Sequence, residues 1–99
     1  MKPIHKTAIN EKSLIQKLSQ ILAALNTTKE VQQFLEDLCT PAELQAMADR
    51  WRVVDLIETG KSYRQIYEET GVSMTTITRV ARCLRFGTGY QLARCKESL

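Results

Sequence analysis

The sequence has few of the residues that metal centres, disulfide frameworks and membrane spans require. Its 99 residues contain one histidine and three cysteines, Cys39, Cys83 and Cys95, with no Cys-x-x-Cys pair. This set is too sparse for a zinc site, and its odd number of cysteines argues against a disulfide framework. The longest apolar run, Ile21–Leu25, is far shorter than the roughly 20 residues that cross a bilayer. We therefore expect no metal, no cofactor, no membrane span and a reducing, cytoplasmic location.

Glycine and proline are also scarce, at four and two residues. With so few residues that interrupt helices, and few β-branched runs, the composition predicts an all-α fold. A chain of this length forms one domain with a modest core, so an oligomer that buries further surface is expected.

The first helix is expected to begin at Asn10, which can cap it, and to run for about four turns. Its apolar residues recur at three- and four-residue steps: Leu14, Ile15, Leu18, Ile21, Leu22 and Leu25. Such a stripe needs a large partner surface, either in its own chain or in a second subunit. Residues 1–9 show no periodicity and are expected to be a flexible arm, with a single domain over residues 10–99.

Local capping patterns predict the start of two further helices. Thr27 with Glu30 has the spacing of a capping box. Thr40, Pro41 and Glu43 combine an N-cap, a proline at the first helical position and an acid three residues after the cap. The helix that begins there is expected to end at Gly60.

Residues 62–86 predict a helix-turn-helix. Ser62 and Gln65 have the spacing of a capping box, Gly71 permits a sharp reversal, and Ser73 is placed to cap the second helix. That second helix has an apolar stripe formed by Ile77, Val80, Ala81 and Leu84. An ordinary helical hairpin is the alternative interpretation of the same residues. Gly87, Thr88 and Gly89 then break the helix, and Tyr90–Leu99 is expected to form a short terminal one.

Charge is distributed unevenly along the chain. Residues 61–99 contain seven Lys/Arg and three acids, a net charge of +4, whereas residues 1–60 contain seven Lys/Arg and eight acids, a net charge of −1. The positive half contains the candidate recognition helix, as binding to DNA phosphates requires. A chance imbalance on a solvated surface is the alternative.

Taken together, these features resemble the Trp repressor family, in particular its small Trp-repressor-related proteins. The resemblance covers roughly Phe34–Phe86 and rests on the Leu38–Glu43 junction, on Arg50 and Arg52, and on Thr75–Arg79. It implies an intertwined helical homodimer in which the amino-terminal helices of one subunit embrace the other. It also implies a repressor that reads a palindromic operator, with recognition helices about one DNA turn (~34 Å) apart.

The resemblance implies a DNA-contacting surface on both helices of the motif. Arg64 and Arg85 are expected to hold phosphates, whereas Met74, Thr75 and Thr76 are expected to approach base edges, directly or through water. Arg82 is added on charge and helical phase alone. The complete candidate set is Arg64, Ser73, Met74, Thr75, Thr76, Thr78, Arg79, Arg82 and Arg85.

The family's co-repressor site falls on Thr40, Arg50 and Arg79, whose guanidinium groups could hold a carboxylate or another anion. Two positions depart from the family. Val80 replaces a glycine against which the indole ring lies, and its side chain should fill that space. Cys83 replaces a serine that receives the ligand's amino group. The candidate effector pocket is therefore Thr40, Arg50, Arg79, Val80 and Cys83, and we expect it not to bind L-tryptophan in the family's manner.

The function predicted from the sequence is a sequence-specific DNA-binding transcriptional regulator, expected to be a repressor acting as a homodimer on double-stranded DNA. The alternative is a protein-interaction module that retains the helix-turn-helix fold and works through its acidic first half and its Leu/Ile helix. An enzyme is not expected, because His5 lies in the arm and no acid–base pair accompanies the three cysteines.

Overall fold

The structure, a computed structural model, describes the backbone of residues 4–97 and the side chains of residues 11–97. All regular elements in that range are helices: α1 (Ile4–Ala24), α2 (Thr28–Leu38), α3 (Pro41–Glu58), α4 (Tyr63–Thr70), α5 (Met74–Phe86) and α6 (Gly89–Glu97). The predicted all-α fold class is confirmed. None of the helices within the described residues is long and apolar enough to cross a membrane.

The chain divides into two compact units, Met1–Thr40 and Pro41–Leu99. The first contains α1 and α2, and the second contains α3 to α6. The division falls at the strong helix start, where α3 begins at Pro41 as its sequence predicts. The single domain expected over residues 10–99 stays a prediction for the assembled protein.

Helix α1 begins at Ile4 and not at Asn10, so residues 4–9 are helical. The flexibility expected for residues 1–9 stays a prediction. No glycine or proline occurs between Pro3 and the end of α1 at Ala24, so the backbone chemistry permits the longer helix. Met1, Lys2 and Pro3, the rest of the predicted arm, lie outside the described residues.

The apolar stripe of α1 is largely exposed in the single chain. Leu14 is 61% exposed, Ile15 66% and Ile21 49%, whereas Leu22 and Leu25 are half-buried. Isolated exposed apolar residues are normal on a protein surface, but a contiguous stripe of them indicates an interaction surface.

The start of α2 differs in one detail from the predicted capping box. The Thr27 hydroxyl accepts a hydrogen bond from the Glu30 amide at 3.1 Å, as expected. The Glu30 carboxylate, however, accepts from the Asn26 amide at 2.8 Å. The carboxylate therefore holds the residue before the cap, while the hydroxyl still satisfies one of the free amides of the first turn.

The core of the second unit is aliphatic and joins three of its helices. Its fully buried side chains are Val53, Val54, Ile66, Ile77 and Val80. Ile77 and Val80 belong to the apolar stripe predicted for α5, and Val53 and Val54 come from α3. Helix α3 packs against both α4 and α5, so two adjacent positions are buried instead of one narrow stripe.

A group of charged and aromatic side chains, which we call the α3–α6 seam, attaches α6 to α3. It consists of Trp51, Asp55 and Glu58 from α3 with Tyr90 and Arg94 from α6. Arg94 donates to Glu58 Oε1 at 2.6 Å through Nε and to Asp55 through Nη1. Its guanidinium also lies 5.9 Å from the Trp51 ring centre, while the Trp51 and Tyr90 rings are 6.0 Å apart.

The carboxylates of the seam further favour the charged form of Arg94, which arginine already holds at neutral pH. Partial burial acts to lower the pKa of Arg94, but the hydrogen bond and charge of Glu58 and the charges of Asp55 and Glu97 outweigh it and raise the pKa. A raised pKa means that the ion pairs are fully present below the ordinary arginine value and are lost only above it. The seam is therefore insensitive to arginine deprotonation at neutral pH.

Candidate nucleic-acid interface

Local hydrogen bonds set the start of α4, and one glycine sets the turn that follows it. The Ser62 hydroxyl accepts from the Gln65 amide at 3.1 Å, and the Gln65 side chain accepts from the Ser62 amide at 2.8 Å. Gly71 ends α4 with φ of 75°, in the left-handed region that glycine adopts without steric cost. The capping box and the glycine turn predicted from the sequence are confirmed. The capping box fixes the start of α4, and Gly71 fixes its end.

Ser73 and Thr76 form the cap of α5. The Ser73 hydroxyl accepts from the Thr76 amide at 3.2 Å and donates to Thr76 Oγ1 at 3.0 Å. Because Thr76 Oγ1 is an acceptor in this pair, its own proton can be donated to another group. Ser73 is thus engaged in positioning Thr76.

Helix α5 has two distinct faces. Ile77 and Val80 are buried in the core, and Ala81 and Leu84 are half-buried beside them. We define the opposite side as the outer face of α5. Its polar members are all exposed: Thr75, Thr78, Arg79, Arg82 and Arg85. The apolar stripe predicted from the sequence therefore orients the helix. Of the candidate DNA-contacting residues on α5, Thr76 is half-buried and the others are exposed.

A groove of about 780 Å³ runs along the outer face of α5. It is lined by Met74, Thr75, Thr78, Arg79, Arg82, Cys83, Phe86 and Gly87. Sequence reasoning missed Phe86 and Gly87. Phe86 follows Arg82 by four residues, the spacing of neighbours on one helical face, so helical phase could have identified it.

The arginines of the outer face differ from most others in the chain. Among the described residues, Arg79, Arg82 and Arg85 form no ion pair with a carboxylate. Elsewhere, Arg52 and Lys61 both pair with Glu69, at 3.7 and 3.5 Å. The outer face therefore carries uncompensated positive charge, which attracts anions.

Arg64 lies on α4 and is paired. Its Nε is 3.3 Å from Glu68 Oε2, and its side chain is 82% exposed. Exposed ion pairs of this kind contribute about 0–1 kcal/mol to the free energy of unfolding. The guanidinium can therefore exchange Glu68 for a phosphate at small cost.

Arg85 occupies the last turn of α5. Its guanidinium lies 5.8 Å from the ring centre of Phe86, and Phe86 is 77% exposed. A cation over an aromatic face is held weakly at an exposed site, by roughly 0.5–1 kcal/mol. This contact limits the directions that the Arg85 side chain takes without neutralising its charge.

The candidate effector pocket stays a prediction, and its residues have different surroundings in the structure. Arg79 and Cys83 line the groove, whereas Val80 is 1% exposed and belongs to the core. Arg50 is half-buried on α3, and Thr40 is exposed at the end of the first unit. Val80 fills space within its own chain, so no opening toward the core is left at that position.

Metal chemistry has no support in the side chains of residues 11–97. No group of three or more His, Cys, Asp or Glu there could hold a metal ion. Cys39, Cys83 and Cys95 form no disulfide bond within the described residues.

Comparison with known proteins finds consistent similarities. The family model described as Trp repressor protein matches residues 13–95. YerC of Bacillus subtilis (strain 168), an uncharacterised protein, is 41% identical over 90 residues, covering 88% of this chain and 86% of YerC. A Trp operon repressor homolog of Xylella fastidiosa (strain M23) is 35% identical over 69 residues, covering 69% of this chain and 75% of that protein.

A solved structure extends the similarity to the fold. The crystal structure of a candidate Trp repressor from Staphylococcus aureus superposes with a TM-score of 0.79 at 30% sequence identity. The superposition covers 99% of this chain and 96% of the other.

Proposed function

The chain belongs to the Trp repressor family, and we propose that it is a sequence-specific DNA-binding repressor that reads a palindromic operator as a homodimer in the cytoplasm. The family consists of DNA-binding transcriptional regulators and not of enzymes. Beyond family membership, we propose three properties of this chain: a palindromic operator, a homodimeric state and DNA binding that does not depend on L-tryptophan.

The outer face of α5 is the observation that carries the proposal. Arg79, Arg82 and Arg85 are exposed without a carboxylate partner among the described residues, so their donors are available to phosphates. Phosphates that replace solvent at such groups release condensed counterions, which drives binding at low salt. The short hydroxyl side chains of Thr75 and Thr78 allow the helix to approach base edges closely.

The exposed stripe of α1 supports the homodimer. Leu14, Ile15 and Ile21 are each about half exposed or more, and burying such side chains contributes roughly 25 cal/mol per Å² of apolar surface. We propose that a second copy of the chain covers this stripe. A dimer also presents two copies of α5, as a palindromic site requires.

Val80 and Cys83 support independence from L-tryptophan. The family resemblance assigns a glycine to the position of Val80, and here the valine side chain is buried in the core. A thiol at Cys83 is a weak hydrogen-bond partner for an ammonium group. We propose that α5 is held ready to bind DNA without a co-repressor.

Selection of bound sequences from a random pool of duplex DNA tests the proposal. We expect a palindromic consensus with half-sites about one helical turn apart, equally enriched with and without L-tryptophan. Calorimetry on the free protein should show no saturable L-tryptophan binding.

Two results would contradict the proposal in different ways. Enrichment only when L-tryptophan is present would refute the co-repressor-independent part and leave the DNA-binding part intact. No retention of any duplex at low salt would refute DNA binding and favour the protein-interaction module, with the α1 stripe as its working surface.

A further inference from the structure

The last turn of α5 is capped by a side chain from α6. Gln91 Nε2 donates to the Leu84 carbonyl oxygen at 2.7 Å and, at 3.5 Å, more weakly to the Arg85 carbonyl oxygen. The last four carbonyls of an α-helix have no partner within the helix. Gln91 therefore satisfies the end of α5 from outside.

Backbone hydrogen bonds on both sides of the turn between α5 and α6 restrict its conformation. The Gly87 amide donates to the Cys83 carbonyl oxygen at 2.9 Å, and the Leu92 amide donates to the Thr88 carbonyl oxygen at 2.9 Å. A side chain at position 87 would place its Cβ only 2.8 Å from the Cys83 oxygen, so glycine is required there. The tight turn places Gln91 back against α5.

The helix that carries Gln91 is itself fixed by the α3–α6 seam. Arg94, one turn further along, contacts both Glu58 and Asp55 of α3, and Tyr90 packs against the core and Trp51. The end of α5 is thereby connected through Gln91 and Arg94 to α3. This connection adds to the packing of α3 directly on α5.

We propose that Gln91 and Arg94 are positioning residues for DNA binding, and that they fix the last turn of α5 so that Arg85 meets the DNA backbone already ordered. The inference rests on the proposed function, because Arg85 is the group through which the positioning acts. An interface residue that is ordered before binding loses less conformational entropy on contact, so the complex is tighter. Removal of the cap should weaken DNA binding only while Arg85 is present.

A double-mutant cycle on the full chain tests this coupling. The variants are Gln91→Ala, Arg85→Ala and the double variant, measured on the selected operator. We expect Gln91→Ala to weaken binding by about threefold to tenfold, the equivalent of one hydrogen bond. In the Arg85→Ala background the same change should have almost no effect. Gln45→Ala is the matched control, because Gln45 donates to Asp49 within α3 at 2.9 Å and does not reach α5.

Hydrogen exchange gives a readout that does not depend on DNA. Gln91→Ala should accelerate amide exchange over residues 84–87 and leave the buried amides at Val54 and Ile66 unchanged. Arg94→Lys keeps the charge but loses the two-pronged contact, so it should produce a smaller acceleration in the same segment.

The outcomes separate the inference from the proposed function. Equal weakening by Gln91→Ala in both backgrounds, no weakening in either, or unchanged exchange over residues 84–87 would overturn the inference while wild-type binding stands. Failure of the wild-type chain to bind any duplex would instead overturn the proposed function and, with it, the inference.

Discussion

The outer face of α5 and the α3–α6 seam are both built on arginine, yet their surroundings give the same side chain opposite roles. At the seam, Arg94 contacts Asp55, Glu58 and Glu97, and its side chain is only 30% exposed. On the outer face, Arg79 and Arg82 are exposed with no carboxylate partner among the described residues. Nearby carboxylates therefore distinguish an arginine that joins two helices from one that is available to a ligand, since the guanidinium group is the same in both.

A carboxylate on the outer face of α5 should have the largest effect on DNA binding. Thr78→Glu places an acid four residues before Arg82, the spacing of a helical ion pair, and adds negative charge where DNA approaches. We expect DNA affinity to fall by on the order of a hundredfold or more, measured by mobility shift. Thr59→Glu is the control, since it makes the same change in net charge at the exposed end of α3. A similar loss in both variants would show that net charge alone matters.

Removal of the unpaired charges should have the next largest effect. Arg82→Ala with Arg85→Ala is expected to weaken all duplexes by about tenfold to a hundredfold and to lower the salt slope of binding by about two. The matched control is Arg52→Ala with Lys61→Ala, which removes two charges that already pair with Glu69. The outer face would be the wrong surface if the control lowered the slope as much.

The seam should respond in the opposite way. Arg94→Ala removes contacts that attach α6 to α3, so we expect a lower midpoint of thermal unfolding with almost no change in the salt slope. Circular dichroism and binding titrations over a range of salt measure the two quantities on one sample. A reduced slope with unchanged Tm would mean that Arg94 touches DNA and that the contrast between the two regions is false.

The smallest effect is expected at the edge of the seam. Glu97→Gln removes one exposed ion-pair partner of Arg94, at 2.8 Å from Nη1 and within the same helix. Exposed pairs at this spacing contribute little, so Tm should fall by much less than in Arg94→Ala. An equal fall would show that Glu97, and not α3, holds Arg94.

The net charge of the sequence halves predicted the binding surface only in part. Arg94 and Lys61 count toward the positive half, but both pair with acids in the structure. Asp55 and Glu58, which belong to the negative half, lie against Arg94. Linear charge counting assigns the candidate surface to the second half of the chain, yet it could not separate cations that pair with acids from cations that do not.

The helix-turn-helix was the most predictable part of the fold. The cap at Ser62, the reversal at Gly71 and the cap at Ser73 each depend on residues no more than four apart. The start of α1 was less predictable, because nothing local marks Ile4. Gln91 was missed because its acceptor at Leu84 lies seven residues back, across a turn whose geometry the sequence does not reveal.

The sequence by itself determined where most helices begin, which side of α5 is apolar and which family the chain resembles, since each depends on neighbours in the chain or on helical period. The tertiary structure decided which arginines are free to bind. Arg94 is neutralised by Glu58 and Asp55, which lie 36 and 39 residues away in sequence and come close only when α6 packs on α3. Among the described residues, no carboxylate pairs with Arg79 or Arg82. Both arginines are exposed to solvent, because the opposite side of α5 is the one buried in the core.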